Sequence, residues 1–285
     1  MRLPGRLLSK ATAHRRLRQV QSFDGFSPKM LPAVRFLVTG KADIQSAAVA
    51  ERAENRRTQI ADSYNDGIEV WYSPKPGSAD GQDKLEPGRI MQFSAERVAA
   101  TGKDRRWGTA MYLIAREFQC TSGIELGTCA GISAMYIASV PSIKRYVTVE
   151  GSPALAAIAR DTLADFPSVE VVNAPFEDAL ELDLKVDFAF VDGHHEQQAT
   201  IHYAKRLRPK LAEQAIVIFD DISWSADMRA AWDQLRTWSH WSHAIDLGAI
   251  GVCIADSDQT PPRQWDLQPI VGRVRISTPW GWNTT

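Results

Sequence analysis

From Trp107 onward, apolar runs with the length of β-strands alternate with segments that have the 3.6-residue period of helices. A helix between two strands brings the second strand back parallel to the first, so this alternation predicts a parallel sheet with helices on both faces. The strand runs lie at 123–126, 146–149, 169–172, 186–191 and 215–219, and the clearest helical segments at 154–163 and 197–211.

Two further apolar runs follow a helical stretch at 226–238. They occupy 243–247 and 250–255, and the residues between them are too few for a crossover helix. Strands joined by so short a turn pair antiparallel. The sequence therefore predicts an α/β fold, a Rossmann-like doubly wound sheet of five parallel strands closed by an antiparallel C-terminal hairpin.

Three segments are expected along the 285 residues. Residues 1–105 form an N-terminal helical extension or cap, in which alternation over 68–72 predicts a short strand and Pro and Gly residues over 74–88 predict a long loop. Residues 106–257 form the cofactor-binding domain, and residues 258–285 form an irregular C-terminal arm.

The composition excludes several partners. A net charge of −1 offers no general attraction to nucleic acid, and no run approaches the roughly 20 apolar residues of a membrane span. Cys120, Cys129 and Cys253 are too few and too dispersed for a disulfide framework or a zinc site. We therefore expect a cytoplasmic protein with no nucleic-acid partner and no membrane span, and the sequence leaves a homo-oligomer open.

The first twenty residues carry six Arg or Lys residues and no acid. An Arg-rich, acid-free start is typical of a transit peptide or of an anchor for an anionic surface, and also of a solvated basic helix. The apolar residues are too few for a strong membrane face, which favours the solvated helix.

The turn after the first parallel strand reads Gly123-Ile-Glu125-Leu-Gly127-Thr-Cys-Ala-Gly131. A dinucleotide turn needs G-x-G-x-x-G, whereas these last two glycines are four residues apart and follow an acid. The carboxylate of Glu125 would repel a phosphate and attract the ammonium and sulfonium groups of S-adenosylmethionine. The alternative is an ordinary turn with a solvated Glu.

A second acid, Glu150, ends the next strand and is followed by Gly151 and Ser152. In Rossmann-like folds a carboxylate at this strand tip accepts hydrogen bonds from both ribose hydroxyls. Glu150 is therefore predicted to bind the ribose.

Three more acids follow the fourth and fifth strands, namely Asp192, Asp220 and Asp221. The carboxyl ends of parallel strands meet at one edge of a sheet, so these side chains should converge. Three carboxylates with no cysteine nearby suit Mg²⁺ or another divalent ion that prefers oxygen ligands. The alternative is that they cap the following helices, above all Asp221.

His195 lies three residues past Asp192, with His194 beside it. An imidazole titrates near neutral pH and is suited to take a proton from a hydroxyl. Successive residues leaving a strand point in different directions, so only one of the two histidines is expected to face an acceptor.

Together these segments, over residues 107–257, resemble the class I S-adenosylmethionine-dependent methyltransferases. The resemblance is to the bacterial metal-dependent O-methyltransferase group related to catechol and macrolide-sugar O-methyltransferases. It rests on four segments: Glu125-Leu-Gly127-Thr128, Val149-Glu150-Gly-Ser-Pro-Ala-Leu155, Asp192-Gly-His-His195 and Phe219-Asp-Asp-Ile-Ser-Trp224. A departure is Glu196, where the family usually has an aromatic residue.

The resemblance implies a role for each matched position. Glu125, Gly127 and Gly131 would line the methionine end of the cofactor, Glu150 the ribose, and 174–176 the adenine. Asp192, Asp220 and Asp221 would bind Mg²⁺, and His195 would be the base. The full cofactor-binding set is Glu125, Gly127, Thr128, Gly131, Glu150, Gly151, Ser152, Pro175, Phe176 and Asp192.

The expected function is methyl transfer from S-adenosylmethionine to an oxygen of a small molecule, assisted by Mg²⁺. Two alternatives stay open from the sequence. One is a metal-independent N-methyltransferase or macromolecule methyltransferase, and the other is a non-catalytic cofactor-binding module. The acceptor itself is not specified by any motif.

Overall fold

The computed structural model describes residues 10–65, 67–71, 90–256 and 262–272. Within these residues the strands form a small hairpin and one eight-stranded sheet. The hairpin pairs β1 (Ile68–Trp71) with β2 (Ile90–Phe93). The large sheet contains β3 (Ser122–Leu126), β4 (Arg145–Glu150), β5 (Val169–Asn173), β6 (Val186–Val191), β7 (Leu211–Phe219), β8 (Trp241–Asp246), β9 (Gly251–Ala255) and β10 (Arg263–Asp266).

The helices cover both faces of this sheet. Two short 3₁₀ turns, at Pro28–Met30 and Arg208–Lys210, accompany them. The α-helices are α1 (Lys10–Gln21), α2 (Leu31–Thr39), α3 (Ile44–Ser63), α4 (Ala95–Thr101), α5 (Arg105–Glu117), α6 (Ile132–Ala138), α7 (Pro153–Thr162), α8 (Phe176–Ala179), α9 (Gln197–Leu207), α10 (Ala226–Leu235) and α11 (Gln268–Val271).

The sheet has the order β10-β8-β9-β7-β6-β3-β4-β5. The predicted five parallel strands are β3 to β7, and the predicted C-terminal hairpin is β8 and β9, with β9 inserted antiparallel beside β7. Strand order reverses between β3 and β6, and ligands bind at such a point outside the carboxyl ends of the strands. The loops after these two strands are therefore the place to look for a site.

The C-terminal arm is more regular than predicted. Instead of an irregular segment, residues 263–266 form β10, which pairs parallel with β8. Trp265 stacks on His243, with ring centroids 5.3 Å apart. This strand is short and mostly exposed, so it lacks the apolar alternation by which a strand is recognised. Residues 257–261 and 273–285 lie outside the described residues.

The basic N-terminal stretch forms the predicted helix from residue 10, and residues 1–9 lie outside the description. Arg15 and Arg18 are exposed, but one face of α1 packs on the protein through Ala13 and Val20, which are buried. Arg16 donates a 2.8 Å hydrogen bond to the carbonyl oxygen of Ile270. The helix is thus docked along one face. No helix among the described residues is long and apolar enough to cross a bilayer.

The N-terminal helices share a hydrophobic cluster with the sheet domain. Phe36 and Leu37 of α2 belong to the same buried cluster as Met111 of α5 and Tyr136 of α6. The opposite face of the sheet packs in a second cluster that includes Trp232 of α10. The extension therefore lies over one face, from which its loops reach the carboxyl edge of the sheet.

Candidate functional site

The glycine turn between β3 and α6 is built for close backbone contact. Gly127 has a φ of +105°, and a Cβ there would lie 1.9 Å from the carbonyl oxygen of Asp192. The amides of Gly127 and Thr128 donate to the carbonyl oxygen of Val149, at 3.0 and 3.1 Å. Gly131, with a φ of +86°, caps α6. The turn after β3 and the loop after β6 are consequently in direct contact.

Glu125 lies inside this turn and has no exposed surface. Its Oε1 accepts a 2.5 Å hydrogen bond from the Ser133 hydroxyl, and its Oε2 accepts one of 2.7 Å from the Thr148 hydroxyl. Burial raises the pKa of Glu125 to about 7, against the effect of these hydroxyl donors. The carboxylate ties β3 to β4 and α6, and its contact with a cofactor stays a prediction.

Glu150 sits at the tip of β4, as predicted, and is buried. Its two oxygens accept from the amides of Cys129 and Ser152, at 2.8 and 2.9 Å. Each carboxylate oxygen has a second lone pair, so these bonds leave acceptor capacity for a ligand. Burial raises the pKa of Glu150 to about 7, although the amide donors oppose this. Ser152 itself caps α7 and donates to the carbonyl oxygen of Glu69 at 2.7 Å.

An aromatic group flanks the segment predicted to bind adenine. Pro175 precedes α8, and the Phe176 ring contacts His194 and Tyr203, with ring centroids 5.9 and 5.4 Å apart. The Tyr203 hydroxyl lies 2.5 Å from Nδ1 of His194. A Cβ at Gly193 would lie 2.4 Å from the Phe176 ring. His194 thus belongs to this aromatic group.

The three predicted acids converge at the carboxyl edge, together with a cation that the sequence analysis did not identify. Lys103 Nζ forms an ion pair with Oδ2 of Asp220 and lies 3.7 Å from Oδ1 of Asp221. Its side chain is only 12% exposed, and that of Asp220 only 1%. Burial by itself lowers the pKa of Lys103, but attraction to Asp220, Asp221 and Asp192 outweighs it and the pKa rises. The lysine is therefore a buried ammonium.

The carboxylates do not fit the predicted Mg²⁺ site. Among the described residues, no group of three His, Cys, Asp or Glu side chains has the arrangement of a metal site. A positive charge is already present within the cluster in the form of Lys103. The alternative of helix caps is not observed either, since α10 is capped by Ser225. Burial raises the pKa of Asp192 to about 6, although Lys103 opposes this.

His195 lies next to the acids, as the offset from Asp192 predicted. Its Nε2 is 3.6 Å from Oδ1 of Asp192, and its Nδ1 is 4.0 Å from Oδ2 of Asp221. The ring stacks on Trp224 at a centroid distance of 6.1 Å, and a third of the side chain is exposed. His194 and His195 both have positive φ, and their rings face different groups. The histidine with access to solvent and to the acids is His195.

Three residues at this edge have no role predicted from the sequence: Lys103, Tyr203 and Trp224. Trp224 ends one of the segments that carry the family resemblance, whereas Tyr203 lies within a helical segment and gives no separate signal. Lys103 stands in the polar sequence Thr-Gly-Lys-Asp-Arg-Arg, where a lysine is ordinarily solvated. Its position follows from the fold and from no motif.

Comparisons with known proteins agree with this architecture. The family model described as "Methyltransferase domain" matches residues 124–222. The SAH-bound methyltransferase PaMTH1 of Podospora anserina is similar in structure, with a TM-score of 0.51, 17% identity, and coverage of 90% of this chain and 99% of that chain. The sequence has no significant match among curated proteins.

Two further solved structures are similar over about half of this chain. The O-methyltransferase from Bacillus cereus, in complex with SAH, has a TM-score of 0.48 and 20% identity, covering 55% of this chain and 84% of that one. The O-methyltransferase TomG from Streptomyces achromogenes, in complex with SAM, has a TM-score of 0.48 and 20% identity, covering 54% and 82%. The family match, over residues 124–222, is to a methyltransferase domain.

Proposed function

We propose that this chain transfers the methyl group of S-adenosylmethionine to an oxygen of a small molecule, with His195 as the general base. One observation carries the proposal. His195 Nε2 lies 3.6 Å from Oδ1 of Asp192, and the carbonyl oxygen of that same Asp192 contacts Gly127 of the cofactor turn. This contact supports the proposal, because a base on the loop after β6 would lie beside a methyl donor bound at the turn after β3.

The cofactor supplies an electrophilic methyl group on its sulfonium. Gly127 and Gly131 leave room for it to approach the backbone, and Glu150 retains lone pairs for the ribose hydroxyls. Phe176 offers an apolar surface on the side predicted for adenine. Holding the two reactants in line supplies much of the rate enhancement in such a transfer.

The acceptor hydroxyl must lose its proton as the carbon–oxygen bond forms. His195 is placed to take that proton, and the nearby carboxylates of Asp192 and Asp221 would stabilise the imidazolium through their negative charge. The Trp224 ring stacks on His195 and restricts its rotation. No step is assigned to a divalent metal, because the carboxylates already hold Lys103.

A small acceptor is favoured over a macromolecule by the position of the N-terminal extension. Its Lys103 reaches the carboxyl edge of the sheet and is almost fully buried there. The extension therefore bounds the space next to His195. Sites for small molecules are usually enclosed by the protein in this way, because they bury most of the ligand surface.

The test is to incubate the protein with S-adenosylmethionine and a panel of phenols, catechols and hydroxylated sugars, and to quantify S-adenosylhomocysteine and the methylated product. We expect an O-methylated product whose formation falls sharply in His195→Ala. Cofactor binding without turnover on any acceptor would favour the non-catalytic module. An N-methylated product would favour the amine methyltransferase.

A further inference from the structure

Lys103 lies in the short connection between α4 and α5, at the junction of the extension and the sheet domain. It is the described residue through which the extension enters the carboxylate cluster, by its ion pair with Asp220 and its 3.7 Å approach to Asp221. A lysine with so little exposure needs a fixed backbone and a compensating charge. Both are present here.

The backbone of this connection is held from both sides. Arg57 of α3 donates to the carbonyl oxygens of Ala99, Gly102 and Lys103, the second at 3.3 Å. On the other side, the carboxylate of Asp104 caps α5 by accepting from the Trp107 amide at 2.9 Å. The lysine is thus fixed in the cluster by contacts that do not involve its own side chain.

We propose that the Lys103 ammonium is a built-in cation that takes the place of a divalent metal in the cluster of Asp192, Asp220 and Asp221. The inference rests on the proposed function for its purpose, since the cluster borders the base of that reaction. The identity of the cation that the carboxylates hold can be tested without measuring methyl transfer.

Charge and space make the two cations mutually exclusive. Mg²⁺ binds carboxylate oxygens at about 2.1 Å in an octahedral shell. The ammonium already contacts Asp220, so an ion on the same carboxylate would lie against a buried positive charge. Unit charges a few ångströms apart interact strongly in a poorly solvated site. Binding of the ion would require Lys103 to leave the cluster.

An ammonium in place of a divalent ion would change how the acceptor hydroxyl loses its proton. An ammonium brings one positive charge and hydrogen-bond donors, whereas a divalent ion brings two charges and acts as a Lewis acid. A hydroxyl beside Lys103 is therefore acidified less than one on a metal. More of the proton removal then falls to His195.

The proposal is tested by measuring melting temperatures with and without millimolar MnCl₂ or MgCl₂, in the purified full-length chain. The wild-type protein should show no metal-dependent change. Lys103→Ala, which empties the cluster of its ammonium, should gain a metal-dependent rise of roughly 3 °C or more, because a ligand of the native state stabilises it. The rise should disappear in Lys103→Ala combined with Asp220→Asn.

Two control variants sharpen the result. Lys103→Arg keeps the positive charge and should stay insensitive to metal, whereas Lys144→Ala removes an exposed lysine and should behave as wild type. A metal-dependent rise in the wild-type chain that is lost in Asp220→Asn would overturn the proposal. So would a folded Lys103→Ala protein that ignores the metal.

If Lys103→Ala is too unstable to purify, the wild-type and Asp220→Asn proteins decide the question by the same criterion. Methyl transfer does not enter these measurements. A failure of the proposed function would appear as missing S-adenosylhomocysteine, and a failure of this inference as metal binding by the wild-type cluster.

Discussion

Gly127 packs against Asp192 so closely that a Cβ on the glycine would lie 1.9 Å from the carbonyl oxygen of the aspartate. The contact is between two backbone segments, so no side chain can move to relieve it. The same contact sets the distance between the glycine turn after β3 and the loop that carries His195. A single methyl group added at Gly127 should therefore displace one or both of these loops.

Gly127→Ala is expected to destabilise the protein by about 2–4 kcal/mol, because it combines the clash with a φ of +105° that L-residues rarely adopt. It should also weaken cofactor binding. Urea unfolding and calorimetric titration measure the two effects. Gly151→Ala is the control for the unfolding measurement, since a Cβ there meets nothing within 4 Å. Equal stability of the two variants would contradict the prediction.

Glu150→Gln is expected to lower the affinity for S-adenosylmethionine by about 1.5–3 kcal/mol, the range for a hydrogen bond to a charged group. Gln keeps the shape but turns an NH₂ group toward the amide of Cys129 or Ser152, which also donate. Isothermal titration calorimetry of the folded variant with S-adenosylmethionine measures the affinity. Wild-type affinity in this variant would remove the ribose assignment.

Most of the sheet and its site edge could be predicted because strands and their acidic tips leave a local pattern. The run at 186–191 is apolar and ends directly at Asp192, so both the strand and the position of its carboxylate follow from the sequence. The order of β9 between β7 and β8 agrees with the hairpin that the short turn implied.

What could not be predicted depends on contacts between distant segments. β10 is a strand because it pairs with β8, not because its own residues alternate. Lys103 resembles any loop lysine until the fold brings it to Asp220. The expectation of Mg²⁺ came from three carboxylates and from the family resemblance, and neither indicates that a lysine from another part of the chain pairs with Asp220.

The stability of the protein should depend on pH through Glu125, whose pKa is raised from 4.5 to about 7 by burial. The folded state then holds a proton that the unfolded state has lost between those values, so stability falls as pH rises through this window. Glu125→Gln should remove this fall, of order 3 kcal/mol by the conversion of about 1.4 kcal/mol per pKa unit. Unfolding free energies at pH 5 and pH 8 test it.

The change in unfolding free energy between pH 5 and pH 8 is measured in each protein and then compared. Glu150 has a similarly raised pKa and contributes the same pH dependence to wild type and to Glu125→Gln. The difference between wild type and Glu125→Gln should therefore isolate one carboxyl group. Parallel curves for the two proteins would show that Glu125 ionises equally in both states.

His195→Ala should lower turnover on the true acceptor by about 10²–10⁴, the usual cost of a positioned base, while cofactor affinity stays close to wild type. His194→Ala should affect turnover only mildly, because its ring contacts Tyr203 and Phe176. Steady-state rates and calorimetric titration of both variants separate the two roles. Turnover that survives in His195→Ala and collapses in His194→Ala would move the base assignment by one residue.

Arg57→Met should loosen the connection that carries Lys103. Its guanidinium donates to the carbonyl oxygens of Ala99, Gly102 and Lys103 and pairs with Glu54 at 3.2 Å. The side chain is only 17% exposed, so the abandoned carbonyls are poorly hydrated. A loss of about 1–3 kcal/mol in the free energy of unfolding is expected.

Arg52→Met, on the same helix, is the matched control for that variant. Arg52 pairs with Asp165 through side chains that are 49% and 82% exposed and lies over the Phe166 ring, contacts that contribute about 1 kcal/mol or less. Hydrogen exchange then distinguishes the two. In Arg57→Met the amides of residues 99–104 should exchange faster, because the lost donors fixed that backbone, whereas in Arg52→Met they should exchange as in wild type. Unchanged protection of these amides in Arg57→Met would mean that the ion pair between Lys103 and Asp220 holds the connection without the arginine.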